Sequence, residues 1–422
     1  MTGFSSNTKS SRSMVAALLF CLVGPLAADN SIDNPYLLDD VLDLYIEDGA
    51  FPFIYARIED ANGRVIYEHQ AVDDGLLPDT EIDGQTWIRI WSMTKLVTIT
   101  LVMDLVEDGV LSLDDPVVDY IPEFRDLIVA TAADGGALTA AAGDAACPLR
   151  TVPMAATMTV RDLMNHTAGF HYAVTGIDCL DTLSAAADLP SAGSSDEFID
   201  RIVDIPLIQQ PGADYYYGTN TTVLGIVAER ATETSLAELV RTRITEPLGI
   251  RGLRYGLPDG ATLLPRFTGN DGALREARPG ELDIFGGGLP RYDANVELYL
   301  GGEGMLATAD GYADFLRVFA NGGTLNDFTL LEPETIAEMT APHTLVDNPN
   351  GHNGYNIWVT RETEGSVGGL WLGGGYEGTH FWIDPVRGFV AVVMSQIHAV
   401  PEAGQDRDNA FREAVYEVIV TR

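Results

Sequence analysis

Apolar and polar positions change period several times along the 422-residue chain, and each change marks an element. Leu37 to Ile46 carries apolar residues at helical spacing and stops at Gly49, which predicts a first helix. Phe53 to Asp60 and Val65 to His69 are strand-like runs joined by Ala61-Asn62-Gly63-Arg64, whose Asn-Gly pair favours a tight turn; they read as a β-hairpin. From Ser92 to Glu107 the spacing is helical again, with Asp108-Gly109 as its stop signal. Met93, Leu96, Val97, Ile99, Leu101, Val102, Met103, Leu105 and Val106 cover nearly its whole circumference, so this helix belongs in the interior.

Between roughly 110 and 300, short helical patterns such as Val160 to Met164, Val223 to Ala231 and Leu236 to Ile244 alternate with Gly- and Pro-containing loops, and strand signals are few. Strands return with Thr379 to Ile383 and Phe389 to Gln396 around the turn Asp384-Pro385-Val386-Arg387-Gly388, and Asn409 to Val420 closes as a helix. Strands at both ends with helices between them predict an α+β fold: one antiparallel sheet built from both chain ends and flanked by helices, with a mostly helical region inserted. The expected division is 29–90 with 300–422 as a discontinuous sheet domain, and 91–299 as the helical region.

Residues 1–28 stand apart. Lys9 and Arg12 precede the apolar run Met14 to Val23, and Ala27-Ala28 offers a small-residue cleavage site, the pattern of a secretory signal peptide. The run is shorter than a bilayer span, and Phe20 precedes Cys21 where lipoprotein processing wants a small residue, so export without a stable membrane anchor, to periplasm or exterior, is expected. A formal charge of −37 argues against any nucleic-acid partner and reads as a solvated acidic surface suited to salt. Cys147 and Cys179 are the only cysteines beyond the leader; a disulfide and two free thiols are both compatible with such a pair.

Lysine usage supplies the sharpest chemical clue. Of 25 basic residues only Lys9 and Lys95 are lysines, and Lys9 leaves with the leader. Lys95 follows Ser92 by three positions, so on a helix the two share a face, with the serine at the positive N-terminal end. A serine hydroxyl becomes a useful nucleophile when a neighbouring base takes its proton, and desolvation of a buried lysine lowers its pKa toward that role. The spacing alone has little weight, since Ser6 and Lys9 match it too; the wholly apolar helix gives it weight, because an idle lysine there would be costly. Two further stretches carry chemistry. Pro211 to Thr219 holds Tyr215-Tyr216-Tyr217 before an apolar helix, and a phenol held near a lysine can serve as general base and acid. Gly373-Gly374-Gly375-Tyr376-Glu377-Gly378-Thr379 precedes a strand, where glycines let backbone approach closely and an N–H can face a developing oxyanion.

Together, Trp91-Ser92-Met93-Thr94-Lys95, Tyr217-Gly218-Thr219 and Gly374-Gly375 resemble the serine β-lactamase and penicillin-binding-protein superfamily, nearest to its class C β-lactamase-like carboxylesterases, the family VIII esterases. Leu111 to Pro116, Thr159 to Thr167, Glu303-Gly304-Met305 and Gly378 to Trp382 are supporting stretches. The resemblance implies a β-lactamase-like fold, Ser92 as nucleophile, Lys95 as its activating partner, Tyr217 as proton shuttle, and backbone N–H groups of Ser92 and Tyr376 as oxyanion hole. Thr219, Gly374 and Gly375 would contact substrate, and no cofactor or metal is implied. Two departures bear on substrate: Thr219 stands where lactamases carry Asn, and Gly373 where the third motif opens with Lys, His or Trp. Both disfavour recognition of a lactam carboxylate and point to a small-molecule ester. The rivals are a D-amino-acid peptidase or weak β-lactamase and, in another class, a non-catalytic relative that binds cell-wall peptides or self-assembles.

Other chemistry has less support. The chain has no G-x-S-x-G pentapeptide, and His166 and His171 stand five apart without H-E-x-x-H, so both are expected to be structural. His380 is expected to be a structural strand residue and Glu377 a surface charge.

Overall fold

The computed structural model describes residues 29–132, 135–138, 147–281, 284–286, 288–343, 348–363 and 367–422; the leader expected over 1–28 lies outside the described residues. Its centre is a seven-stranded, fully antiparallel sheet of β1 (Phe53–Asp60), β2 (Val65–Val72), β3 (Gly351–Asn353), β4 (Trp358–Thr360), β5 (Trp371–Gly374), β6 (His380–Asp384) and β7 (Phe389–Met394). The order is β3-β4-β5-β6-β7-β1-β2, so the N-terminal hairpin joins the C-terminal strands where Phe389 faces Asp60 and Met394 faces Tyr55. The sheet is thus assembled from both chain ends, as the pattern predicts. In the hairpin, Gly63 takes φ +85° and the Asp60 carboxylate accepts the N–H groups of Asn62 and Arg64, each at 3.0 Å.

Strand position explains strand composition. Every residue of β7 is buried, as an interior strand covered on both faces requires, whereas edge strand β2 alternates buried and exposed. Phe381 and Trp382 are neighbours in β6 and so face opposite sides. Tyr312 of α5 (Ala309–Ala320) packs on Phe381, and Phe411 of α6 (Arg407–Val418) packs on Trp382, so helices cover both faces. The first helix, α1 (Pro35–Glu47), lies against α6 and β2.

The inserted part is built around α2 (Thr94–Glu107), whose Leu96, Val97, Ile99, Leu101 and Val102 are all fully buried; α4 (Asn220–Thr232) packs against it, and α3 (Val160–Met164) packs against α4. Short helix α3 begins at a capping box in which Thr159 and Asp162 satisfy each other's backbone N–H. Two features depart from the sequence reading. The helix expected over Leu236 to Ile244 is one α-turn, Leu236–Leu239, followed by a wider π-helical stretch, Val240–Thr245. The middle also contains strands: Leu253–Tyr255 and Ile88–Arg89 flank Met305–Ala307 in a small antiparallel sheet. Strands this short carry no readable alternation, yet this sheet places the segment before Ser92 beside the segment after Glu303. Cys147 and Cys179 are joined as a disulfide.

Candidate active site

Ser92 sits in a 3₁₀ turn, Trp91–Met93, that runs directly into α2. Trp91 has φ +45°, a conformation a bulky side chain resists at a cost of about 1–3 kcal/mol. Packing imposes it: the buried Trp91 ring lies edge-on to Tyr376, 5.2 Å between centroids, and to Tyr292 at 6.3 Å. Contacts from 301–312 tie down the helix start. Thr98 Oγ1 donates to the Gly301 carbonyl at 2.7 Å, Thr94 Oγ1 accepts the Met305 N–H at 3.2 Å, and Tyr312 donates to the Met93 carbonyl at 3.0 Å.

One turn on, the Lys95 ammonium is completely buried. Its Nζ donates to Ser92 Oγ at 3.1 Å, Tyr172 Oη at 3.0 Å and the Gly302 carbonyl at 2.9 Å, and pairs with Glu303 Oε1 at 3.4 Å. It also lies 4.9 Å from the centre of the Tyr217 ring. The expectation that desolvation leaves Lys95 with a depressed pKa is corrected here. Burial does pull it down, but Tyr217 and Glu303 pull it up further, and the net direction is raised. The resting lysine is therefore an ammonium ion, and a buried carboxylate is its counter-charge.

Tyr217 arrives from the other side. Its loop is laced to the segment around His166: Tyr216 N–H donates to the His166 carbonyl at 2.7 Å, and Asn220 Nδ2 donates to His166 Nδ1 at 3.1 Å. Gly218 has to be a glycine, since a Cβ there would collide with the Phe170 carbonyl. The Tyr217 ring stacks on His166 at 4.7 Å and is 37% exposed, the most open of the clustered groups. Beside it opens a cleft of about 200 Å³ lined by His166, Tyr215, Tyr217, Trp358, Gly373 and Gly374, among others. The strand that bears Gly374 packs against the Ser92 turn, and a Cβ on Gly375 would strike the Ile90 carbonyl, two residues before Ser92.

The structure therefore brings Ser92, Lys95 and Tyr217 together and sets Gly374, Gly375 and Tyr376 beside them. Thr219 is buried at the N-cap of α4 and does not line the cleft. His166, expected to be merely structural, lines the cleft and supports Tyr217; burial first, and the nearby Lys95 charge second, push its pKa down to about 3. His171 is buried between the Tyr172 and Pro206 carbonyls. His380 lies 3.7 Å from Asp408 with its pKa lowered by burial. Glu377, expected at the surface, is fully buried and ion-paired with Arg266. Sequence reasoning missed Tyr172 and the roles of Glu303 and Thr222. The signal available for Glu303 was an acid among the glycines of Gly301 to Gly304, a place with no surface-helix rationale.

Comparison with known proteins adds to this geometry. The family model described as Beta-lactamase matches residues 61–415. Protein Rv1367c of Mycobacterium tuberculosis is 29% identical over 280 residues, 65% of this chain and 64% of that protein. The ML-236A carboxylate methylbutanoyltransferase mlcH of Penicillium citrinum is 31% identical over 273 residues, 63% of this chain and 58% of that protein. Both matches span less than two thirds of the relative's own length. Among solved structures, EstCE1, a hydrolase with promiscuous acyltransferase activity, superposes with a TM-score of 0.72 at 21% identity, covering 90% of this chain and 98% of that one, which establishes the shared fold.

Proposed function

Because the chain belongs to the β-lactamase family, whose members among its relatives and neighbours include hydrolases and acyltransferases, we propose that it is a serine hydrolase that cleaves small carboxylic esters through an acyl-enzyme on Ser92. The observation that carries this reading is the contact of Lys95 Nζ, fully buried, with Ser92 Oγ, half-buried, at 3.1 Å, next to a cleft bordered by Tyr217. Ser92 Oγ attacks the ester carbonyl as its proton passes to the Lys95 side. The backbone N–H groups of Ser92 and Tyr376 receive the oxyanion, and one such donor is typically worth about 3 kcal/mol of barrier. Tyr217, reaching both Lys95 and the cleft, returns a proton to the departing alcohol and then guides water, or a second alcohol, onto the acyl-enzyme. An alcohol acceptor would make the same site an acyltransferase, the activity that the names of mlcH and EstCE1 carry. Gly373, which lines the cleft in place of the Lys, His or Trp that opens this motif in lactamases, favours esters over lactams.

The Cys147–Cys179 disulfide supports the exported location that the leader suggests, since such bonds persist outside the cytosol. The decisive assay places mature protein and its Ser92→Ala variant on short-chain nitrophenyl esters and, in parallel, on nitrocefin. Ester turnover lost with Ser92, together with an acyl adduct on Ser92 by mass spectrometry, is the expected result. Dominant lactam turnover would move the assignment to a β-lactamase, and turnover that survives Ser92→Ala would refute it.

A further inference from the structure

Two tyrosines, not one, face the Lys95 ammonium, and they have different surroundings. Tyr217 borders the cleft, while Tyr172 is buried behind the lysine. Tyr172 Oη accepts from Lys95 at 3.0 Å and donates its own proton to Glu303 Oε1 in a short hydrogen bond. The other carboxylate oxygen of Glu303 accepts from Thr222 Oγ1 at 2.8 Å, and Thr222 in turn accepts the Gly302 N–H at 3.0 Å. From Lys95 onward the hydrogen bonds run one way, Lys95 donating to Tyr172 and Tyr172 to Glu303, while the resting Lys95 also donates to Ser92 Oγ. Glu303 is fully buried, and among the described residues its carboxylate meets Tyr172, Thr222 and, at the longer distance of 3.4 Å, Lys95.

We propose that Glu303 is the proton acceptor that lets Lys95 act as a base, reached through Tyr172, so that Ser92 is activated by a relay Ser92–Lys95–Tyr172–Glu303. The inference rests on the acyl-enzyme reading of Ser92. The Tyr172 proton passes to Glu303 and an Nζ proton passes to Tyr172 Oη, which frees the Nζ lone pair; as Oγ bonds to the carbonyl carbon and the π electrons move to oxygen, the Ser92 proton passes to that lone pair. One proton has then moved from Ser92 to Glu303, Lys95 is still an ammonium, and no outside reactant is needed. The reverse transfer, completed by Tyr217, supplies the leaving alcohol. Glu303 acts through its neighbours and is a positioning residue; Tyr172 is the bridge.

The ionisable groups around the relay are few. From the loop segments, His166 and Tyr217 lie near Lys95 and Tyr215 near Tyr172; from the small sheet, Tyr255 lies near Glu303; and Tyr292 donates to the Glu303 carbonyl at 2.9 Å. Burial raises the pKa of Tyr172, Tyr215, Tyr255 and Tyr292 and lowers that of His166, which keeps these five neutral near pH 7.

The test measures the rate at which a fluorophosphonate labels Ser92, and kcat and KM on a nitrophenyl ester, across pH for the full mature chain and for Glu303→Gln, Glu303→Asp and Tyr172→Phe. Glu303→Gln keeps a hydrogen-bond acceptor for Tyr172 but cannot take the proton. Its kcat and labelling rate should fall on the order of 100-fold near neutrality with KM unchanged, the usual scale of an acid–base contribution. Its residual rate should climb with pH as Lys95 loses its proton to solvent, and Glu303→Asp should restore part of the wild-type profile. A Glu303→Gln profile of wild-type height and shape, or one lowered equally at every pH, would overturn the relay. Should Glu303→Gln fail to fold, Tyr172→Phe keeps the ion pair and removes the bridge; the altered pH shape is expected there too, and an unaltered one refutes the proposal. Absence of label on wild-type Ser92 would instead sink the acyl-enzyme reading itself, whereas label that vanishes in Ser92→Ala secures it and leaves the relay to the variants.

Discussion

Two carboxylates are fully buried beside the cleft, and the regions around them do different work. Glu377 lies in the loop after Gly373-Gly374-Gly375 and pairs with Arg266, whose guanidinium sits 5.6 Å from the Trp91 ring centre. The adjoining backbone is pinned as well: the Glu377 carbonyl accepts the Ile397 N–H at 2.9 Å, and Arg407 donates to the Gly378 carbonyl at 2.9 Å. Glu303 pairs with Lys95, with Tyr172 bridging the two. A guanidinium never gives up its proton in a protein, so the Glu377 region is a fixed brace that holds backbone N–H groups in place. An ammonium hydrogen-bonded through a phenol to a carboxylate can exchange protons. Beyond the leader, arginine serves everywhere a cation is needed except at this one place. On the proposed relay, the lysine stands where a proton has to move, and arginine where a charge has to stay.

The largest effect should come from making the Glu303 region resemble the Glu377 region. Lys95→Arg keeps the charge and the partner carboxylate but removes the movable proton, and ester turnover should fall by roughly 10²–10⁴-fold. Circular dichroism would confirm the fold; a variant that is folded and still active would erase the distinction. Next, Gly375→Ala puts a methyl group against the Ile90 carbonyl and pushes the loop away from Ser92. A loss of about 10²–10³-fold in kcat is expected, the range for one displaced oxyanion donor, with Ser92 labelling slowed in proportion.

A third prediction tests the neutral group between the regions. His166 titrates near 6.5 when unfolded and near 3 when folded, so between those values the unfolded chain binds the extra proton. Stability from this group is complete above pH 6.5 and drains away as pH falls toward 3, by up to about 1.4 kcal/mol per unit. Buried His171 and His380 shift in the same direction and add to the trend. Denaturant midpoints across this range should decline, and His166→Gln should decline less steeply; equal slopes would show that His166 is not held neutral.

How much of this was legible beforehand depended on pattern length. The hairpin at Asn62-Gly63, the all-apolar helix from Ser92 and the continuous run in β7 span enough residues for period and turn chemistry to speak, and the sheet built from both ends followed from them. Ser92 and Lys95 were visible because a lone lysine in an apolar helix has to be satisfied somehow. The partner that satisfies it was not visible. Glu303 comes from a stretch 208 residues away and is delivered by a sheet whose strands have two or three residues, too short to show alternation. Tyr172 was not singled out and His166 was read as structural, because their contacts to the Tyr217 loop are made in three dimensions. Glu377 looked exposed because an acid in a glycine loop usually is, and only the approach of Arg266 reverses that.

The smallest expected effect makes the Glu377 region resemble the Glu303 region. Arg266→Lys leaves a cation facing Glu377, so the carboxylate is not stranded and the heavy penalty of an unpaired buried charge is avoided. What disappears is the planar fork and its stacking over Trp91, a change of about 1–2 kcal/mol in stability. Arg266 is 14% exposed, so the shorter ammonium can draw on solvent for its remaining hydrogen bonds. Because the brace acts by holding position and moves no proton, kcat should drop less than about tenfold while the shape of the pH profile stays that of the wild type. Parallel thermal melts and pH–rate profiles of Arg266→Lys and Lys95→Arg read the asymmetry directly. If the lysine at 266 reshaped the pH profile, Glu377 would have to be a second proton store, and the two regions would differ in degree only.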